Sequence, residues 1–173
     1  MEPRVVLVSV GEVPEGLAEW LRPELGETLG LEVVGRERIP LQDDWFDPVR
    51  RQCRGPDILD ALGSVDRRVG DHILGLVESD CYAGGLNFVF GQASPRSRDA
   101  FVALPRLRQS FYGRPRDERL FRERVLKESL HELGHTWGFE HCGNPRCVMY
   151  FSNTLADTDA KSTEFCAECR RGQ

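Results

Sequence analysis

H-E-L-G-H-T-W-G-F-E-H, residues 131–141, is the stretch from which the rest of the chain is read. On an α-helix, side chains four residues apart stand one above the other on the same face. His131 and His135 can therefore offer two imidazoles to one ion. Glu132 is rotated beside them, better placed to hydrogen-bond a metal-bound water than to ligate. Gly138 can take a positive φ, stop the helix and turn the chain back. His141 then returns as a third ligand. Three protein ligands leave a fourth tetrahedral position for water, the arrangement of a catalytic zinc site. Zinc lowers the pKa of that water towards ~7 and polarises a carbonyl. Glu132 is placed to take the water's proton and pass it to a leaving nitrogen. A bare H-E-x-x-H also arises by chance on charged helices. Only 4 of 173 residues are His, so a third His at one chosen position arises by chance roughly once in forty. That spacing makes chance the weaker reading.

Upstream of the motif, Leu126, Leu130, Leu133 and Trp137 recur at i, i+4, i+7 and i+11. This is the buried stripe of a long helix beginning near Asp117. The first half of the chain alternates strand and helix. Val5–Val10 and Ile73–Val77 are continuous apolar runs, as strands buried on both faces require. Leu17, Trp20, Leu21, Leu25 and Leu29 mark a helix that Gly30 closes, and Leu31–Val34 reads as a second strand. Val49, Ile58, Leu59 and Leu62 mark a second helical region. Gly84-Gly85 signals a turn before a short strand at Phe88–Phe90, and Phe101–Leu104 is a fifth strand ended by Pro105. The expectation is an α/β fold: a mixed twisted sheet, an active-site helix and a small metal-stapled C-terminal lobe. Residues 1–173 would form one domain, with a sheet-helix part over 1–138 and a Cys-rich part over 139–173. Substrate would lie in the cleft between them.

Four of the six cysteines crowd into the last part of the chain. Cys142 follows His141 directly, Cys147 comes five residues later, and Cys166 and Cys169 form C-x-x-C. Two thiolate pairs can close a tetrahedral zinc site with no open position, which is structural zinc. Iron is the alternative metal, since four thiolates suit both. The tail has little apolar pattern of its own, so metal binding can supply its folding free energy. Cys53 and Cys81 read as small core residues. His72, just before a strand, reads as a surface or packing residue.

Bulk properties narrow the remaining classes. Hydrophobic residues make up 40% and charged residues 29%, and the net charge is −5. With no basic excess, nucleic acid is not an expected partner. No apolar run approaches the ~18 residues of a membrane span, and the N-terminal run is too short for a signal peptide. A cytoplasmic, monomeric protein is expected, in whose compartment disulfides are rare.

H-E-L-G-H-T-W-G-F-E-H-C, then C-V-M at 147–149, then C-A-E-C at 166–169, resembles the archaemetzincins. That family carries a metzincin zinc motif, an immediate Cys, a second Cys after four residues, C-x-M, and a closing C-x-x-C. The resemblance is strong over 131–169 and looser over I-L-G-L-V-E-S-D-C-Y-A-G-G-L-N-F-V-F-G at 73–91. It implies a zincin-like fold and a metallopeptidase. It also implies catalytic zinc on His131, His135 and His141, a general base in Glu132, and a second zinc on the four cysteines. Met149 would be the Met-turn residue, an apolar floor beneath the metal. Some other metzincins carry a Tyr two residues after that Met; here the position is Phe151, and Tyr150 is off register. Q-C-R-G-P-D at 52–57 is similar to the cysteine switch of matrixins, but Cys53 sits inside the domain rather than in a removable segment.

Peptide-bond hydrolysis is therefore the leading function, on peptide or protein substrates. A metal-bearing peptide-binding protein with little or no turnover is the alternative, and Glu132, useless to a scaffold, separates the two. Amide hydrolysis on a small molecule is a third possibility. An exposed edge at Leu86–Gln92 could pair with an extended peptide.

Overall fold

The computed structural model describes residues 2–172. In chain order the main elements are β1 (Val5–Val10), α1 (Leu17–Leu29), β2 (Val33–Gly35), β3 (Phe46–Asp47), β4 (Gln52–Arg54), α2 (Gly55–Gly63), β5 (His72–Val77), β6 (Cys81–Tyr82), β7 (Gly91–Ser94), β8 (Asp99–Ala103), α3 (Glu118–Thr136), α4 (Leu155–Ala160) and α5 (Ala167–Arg171).

A five-stranded sheet runs in the order β2-β1-β5-β8-β7. The first four strands are parallel and β7 returns antiparallel at one edge. Because side chains alternate across a strand, each central strand feeds two cores. Val5 and Leu7, Leu74 and Leu76, and Ala100 and Val102 join α1 and α3 on one face. Val6 and Val8, Ile73 and Val77, and Phe101 and Ala103 join Ile58 and Leu62 of α2 on the other. This double burial is why β1 and β5 read as unbroken apolar runs. A smaller sheet, β3-β4-β6, sits to one side. Cys53 and Cys81 face each other there in parallel register, both buried, so Cys53 is a core residue and not a switch. Among the described residues, no helix is long and apolar enough to cross a membrane.

Several expectations shift. β2 covers Val33–Gly35, not Leu31–Val34, because Leu31 still belongs to the turn that follows Gly30. Val49 belongs to no helix and is 92% exposed; α2 begins at Gly55. Phe88–Phe90 is not a strand. The Phe90 carbonyl accepts from Ala103 N, but Val89 turns away to bridge Cys81 instead. The edge strand proper is Gly91–Ser94, a sequence with no apolar signal.

His72 opens β5 and is buried, not at the surface. The Thr136 hydroxyl donates to Leu133 O at 2.6 Å, so its oxygen accepts from His72 Nδ1 at 2.7 Å. The ring also lies 5.1 Å from that of Trp137. His72 thus ties the sheet to the last turn of α3. Burial, helped by Arg98 and Arg67, depresses its pKa to about 4. The unfolded chain takes up this proton near pH 6.5 and the folded chain only near 4. Stability is therefore expected to fall as pH drops through that window. A His72→Asn variant should lose about one proton's worth of the slope, about 1.4 kcal/mol per pH unit, in denaturant titrations at pH 6.5, 5.5 and 4.5. An unchanged slope would refute the assignment.

Candidate active site

α3 is the element that carries the motif. Asp117 caps it, accepting from Leu120 N at 2.9 Å, a contact typically worth ~1 kcal/mol. Its last three turns are buried nearly all round, polar residues included: Glu128, Ser129, His131, Glu132 and Thr136 join Leu130 and Leu133. One side meets the sheet and the other is covered by the chain beyond Gly138. That glycine has φ +91, which sends the backbone under the helix.

The turn brings the three histidines together. His135 Nε2 lies 3.1 Å from His131 Nε2 and 3.2 Å from His141 Nε2. His131 Nδ1 donates to Val148 O and His135 Nδ1 to Phe139 O, each at 2.8 Å. Those hydrogen bonds fix the tautomer and leave both Nε2 lone pairs pointing at one another. Two lone pairs at that distance repel unless a cation lies between them. Tetrahedral zinc with Zn–N near 2.0–2.1 Å would place its ligand nitrogens about 3.3 Å apart, so the cluster fits that ion. Burial pushes His131 down to about 4, and it also lowers His135 and His141. All three rings are thus neutral donors at pH 7. Phe151, where some metzincins have Tyr two residues after the Met, lays its ring 4.8 Å from the His141 ring and helps hold it.

Glu132 lines the same cleft as the three histidines, a cavity of about 510 Å³ bounded above by residues 86–93. Burial lifts its carboxyl well above the usual carboxylate range; Glu128, one turn back, adds to this and Lys161 opposes it. A carboxylate so placed accepts a proton readily. Its position depends on β7. A Cβ built on Gly91 would lie 2.5 Å from Phe101 O, 2.6 Å from Glu132 Cγ and 2.7 Å from Glu132 Oε1. Only glycine lets the edge strand approach this closely. Gly91→Ala should displace the carboxylate or the strand. Since a 1 Å misplacement can cost about 10²-fold, peptide hydrolysis should fall by roughly that factor while zinc content is unchanged. Full activity in Gly91→Ala would show that the contact is not needed.

The four predicted cysteines also converge. Cys142 Sγ lies 3.7 Å from Cys166 Sγ, and Cys147 Sγ lies 3.8 Å from Cys169 Sγ. Tetrahedral zinc with Zn–S near 2.3 Å would place its sulfurs about 3.8 Å apart. Asn144 N and Cys166 N donate to Cys142 Sγ and Cys147 Sγ. A hydrogen bond from the Cys169 amide is the main cause that draws the Cys166 thiol down to about 7. Two groups therefore fit a metal: three imidazoles open to the cleft and four thiols behind them. All seven residues of these two groups are ones the sequence reading names.

Met149 is fully buried against α3: a Cβ on Gly134 would collide with its sulfur. It thus sits beneath the histidine helix. Sequence reading missed the polar clamp beside it. Arg124 makes two 2.7 Å hydrogen bonds to Asp159. Lys161 Nζ lies 3.0 Å from Glu128 Oε1, which also accepts from Thr158 Oγ1 at 2.9 Å. Lys161 is fully buried, and its ammonium also reaches Tyr150 O. Breaking such a buried pair from one side typically costs ~3–5 kcal/mol. No spacing rule joins residues thirty positions apart, so the signal was absent from the sequence.

A mixed sheet with an antiparallel edge strand beside an H-E-x-x-H helix, closed by a third His after a glycine turn, defines a zinc metallopeptidase of the metzincin type. The sequence pattern of peptidase family M54 matches residues 38–172. The archaemetzincin of Pyrococcus furiosus is 39% identical over 180 residues, covering 99% of this chain and 92% of that one. The crystal structure of the archaemetzincin from Methanopyrus kandleri superposes with TM-score 0.85 at 37% identity, covering 98% of this chain and 92% of the other. A zinc-dependent peptidase from Methanocorpusculum labreanum superposes with TM-score 0.88 at 31% identity, covering 96% and 98%. The chain belongs to peptidase family M54, the archaemetzincins.

Proposed function

We propose that the chain hydrolyses peptide bonds, with His131, His135 and His141 holding a catalytic zinc and Glu132 moving the proton. Cys142, Cys147, Cys166 and Cys169 would hold a second, structural zinc. The observation that carries this reading is the convergence of three imidazole Nε2 atoms on one point of a cleft that the Glu132 carboxyl also lines. Zinc at that point supplies Lewis acidity, polarising a carbonyl and making water acidic enough to ionise near neutral pH.

The protein's own groups do the rest. β7 ends the sheet beside the cleft. An extended peptide can add there by backbone hydrogen bonds, which presents its scissile bond to the histidines. Glu132 takes a proton from the attacking water and delivers it to the leaving nitrogen. Met149 packs beneath the histidine helix and Phe151 lies against the His141 ring, so both help hold the ligands in place. On this reading the whole chain is one metallopeptidase domain, in which residues 139–173 form a stapled lobe that completes the site. Six free cysteines suit a reducing compartment, and we place the protein in the cytoplasm.

Profiling a mixed peptide library with and without chelator, beside a Glu132→Ala control, tests this reading. Chelator-sensitive cleavage absent from the control supports it. Peptide binding without cleavage by fully loaded protein would instead favour a metal-bearing binding protein. Elemental analysis should approach two zinc ions per chain, and iron in the cysteine site would overturn that assignment. Mild chelation should empty the histidine site first, since neutral imidazoles around an open position hold metal less tightly than four enclosed thiolates. Activity should vanish while the melting temperature stays close to that of the loaded protein.

A further inference from the structure

A second cavity, about 410 Å³, adjoins the catalytic cleft and shares Phe88, Phe90 and Asn153 with it, but none of the three histidines lines it. Its floor is apolar and rigid. Phe88 and Phe90 meet edge-on at 5.2 Å. The Arg106 guanidinium lies 4.3 Å over Phe88 and is held by two hydrogen bonds to Asp80, at 2.8 and 2.9 Å. Tyr112, half exposed, and Leu155 of α4 form the facing walls. Arg106 and Arg114 are the charged side chains of the lining, and no acid stands among the described lining residues. Asp80 already answers Arg106. Arg114 lies exposed at the rim.

The position relative to β7 fixes which end of a substrate would reach it. Antiparallel pairing is the stronger of the two ladders. A peptide paired that way runs against the direction Gly91 to Ser94. Its C-terminal part then passes Gly91 and arrives at Phe90 and Phe88. We infer that this cavity is a distal specificity site on the leaving-group side of the scissile bond. It takes a large apolar, preferably aromatic, side chain, with Arg114 reading a carboxylate next to it. The inference rests on the hydrolytic reading above and adds the substrate class. Continuity with the cleft, an aromatic floor and the exposed Arg114 cation at the rim select a peptide of that chemistry as the occupant.

The test uses quenched peptides, with and without a following carboxylate, in which Phe or Ala is placed at each of the first three positions after the scissile bond. Zinc-loaded wild type should favour Phe over Ala at one of these positions by roughly ten- to hundredfold in kcat/KM, the range expected for burying one such side chain. Tyr112→Ala, at a half-exposed side chain, and Leu155→Asp, in the first turn of α4, should each lower kcat/KM for the Phe peptide far more than for the Ala peptide and so bring that ratio towards one. Arg114→Glu, an exposed change that leaves the core intact, should remove the preference for the carboxylate at low salt. An equal ratio in wild type and variants, or no preference in wild type, overturns the assignment. If wild type cleaves no peptide, hydrolysis fails as a reading, and fluorescence anisotropy with the same labelled peptides decides the pocket by the same ratios of affinity.

Discussion

Glu132→Ala is expected to lower kcat/KM for peptides by at least about 10²–10⁴-fold while both zinc sites stay filled and the fold is kept. The size of the loss follows from the role proposed for the carboxyl. The leaving nitrogen must gain a proton, and Glu132 is the group in the cleft whose burial makes it a ready acceptor. The survival of the fold follows from what it does not do. The nearby buried Glu128 is paired with Lys161 and Thr158, so truncating Glu132 leaves no opposite charge stranded. The space created opens to the cleft rather than to the core. Turnover near the wild-type level would remove Glu132 from the mechanism. Loss of the histidine-site zinc would make it a ligand or a support instead. Kinetics, elemental analysis and a melting curve on one preparation separate these outcomes.

Cys166→Ser should act from behind the site and cost more than activity. Its sulfur faces Cys142 at 3.7 Å. Cys142 is bonded to His141, and its amide donates to Met149 O at 2.9 Å. Val148, next along, supplies the carbonyl that orients His131. One broken thiolate site therefore loosens two of the three histidines. Structural zinc typically contributes on the order of 10–16 kcal/mol of apparent binding free energy to the fold it closes. Losing even a fraction should free the tail. The expected result is a chain depleted of both zinc ions, cleaved by a probe protease after Gly138, and inactive. Retention of the histidine-site zinc with normal turnover would show that the two sites are mechanically independent.

What the sequence disclosed and what it hid divide along a physical line. Repeating local patterns were legible: the i, i+4 pair His131 and His135, the C-x-x-C at Cys166 and Cys169, and the apolar runs of β1, β5 and β8, buried on both faces. Gly138 was legible because a helix stop must precede His141. What depended on partners far along the chain was not. Gly91–Ser94 is a strand because β8 offers it a ladder, and its half-buried side chains carry no alternation to see. Phe88–Phe90 is apolar because it floors a cavity, and Val49 is an apolar residue left in solvent. The short β3-β4-β6 sheet has two or three residues per strand, too few for a period. α3 carries so many buried polar residues that its stripe of Leu126, Leu130 and Leu133 describes only one of its sides.

That polar burial also has a consequence for how the molecule comes into being. Arg124 finds Asp159 thirty-five residues later in the chain, and Glu128 finds Thr158 thirty residues later. At roughly 5–20 residues per second, a ribosome delivers α3 several seconds before the partners that neutralise it. During that interval Arg124 and Glu128 stay hydrated, and the helix has no cover for the side bearing the motif. The first three-quarters of the protein can therefore gather around its sheet without forming a competent centre. His141, the Val148 carbonyl that orients His131, and the Asp159 and Lys161 ends of the clamp all lie beyond Gly138, so the histidine cluster is the last part of the molecule to close.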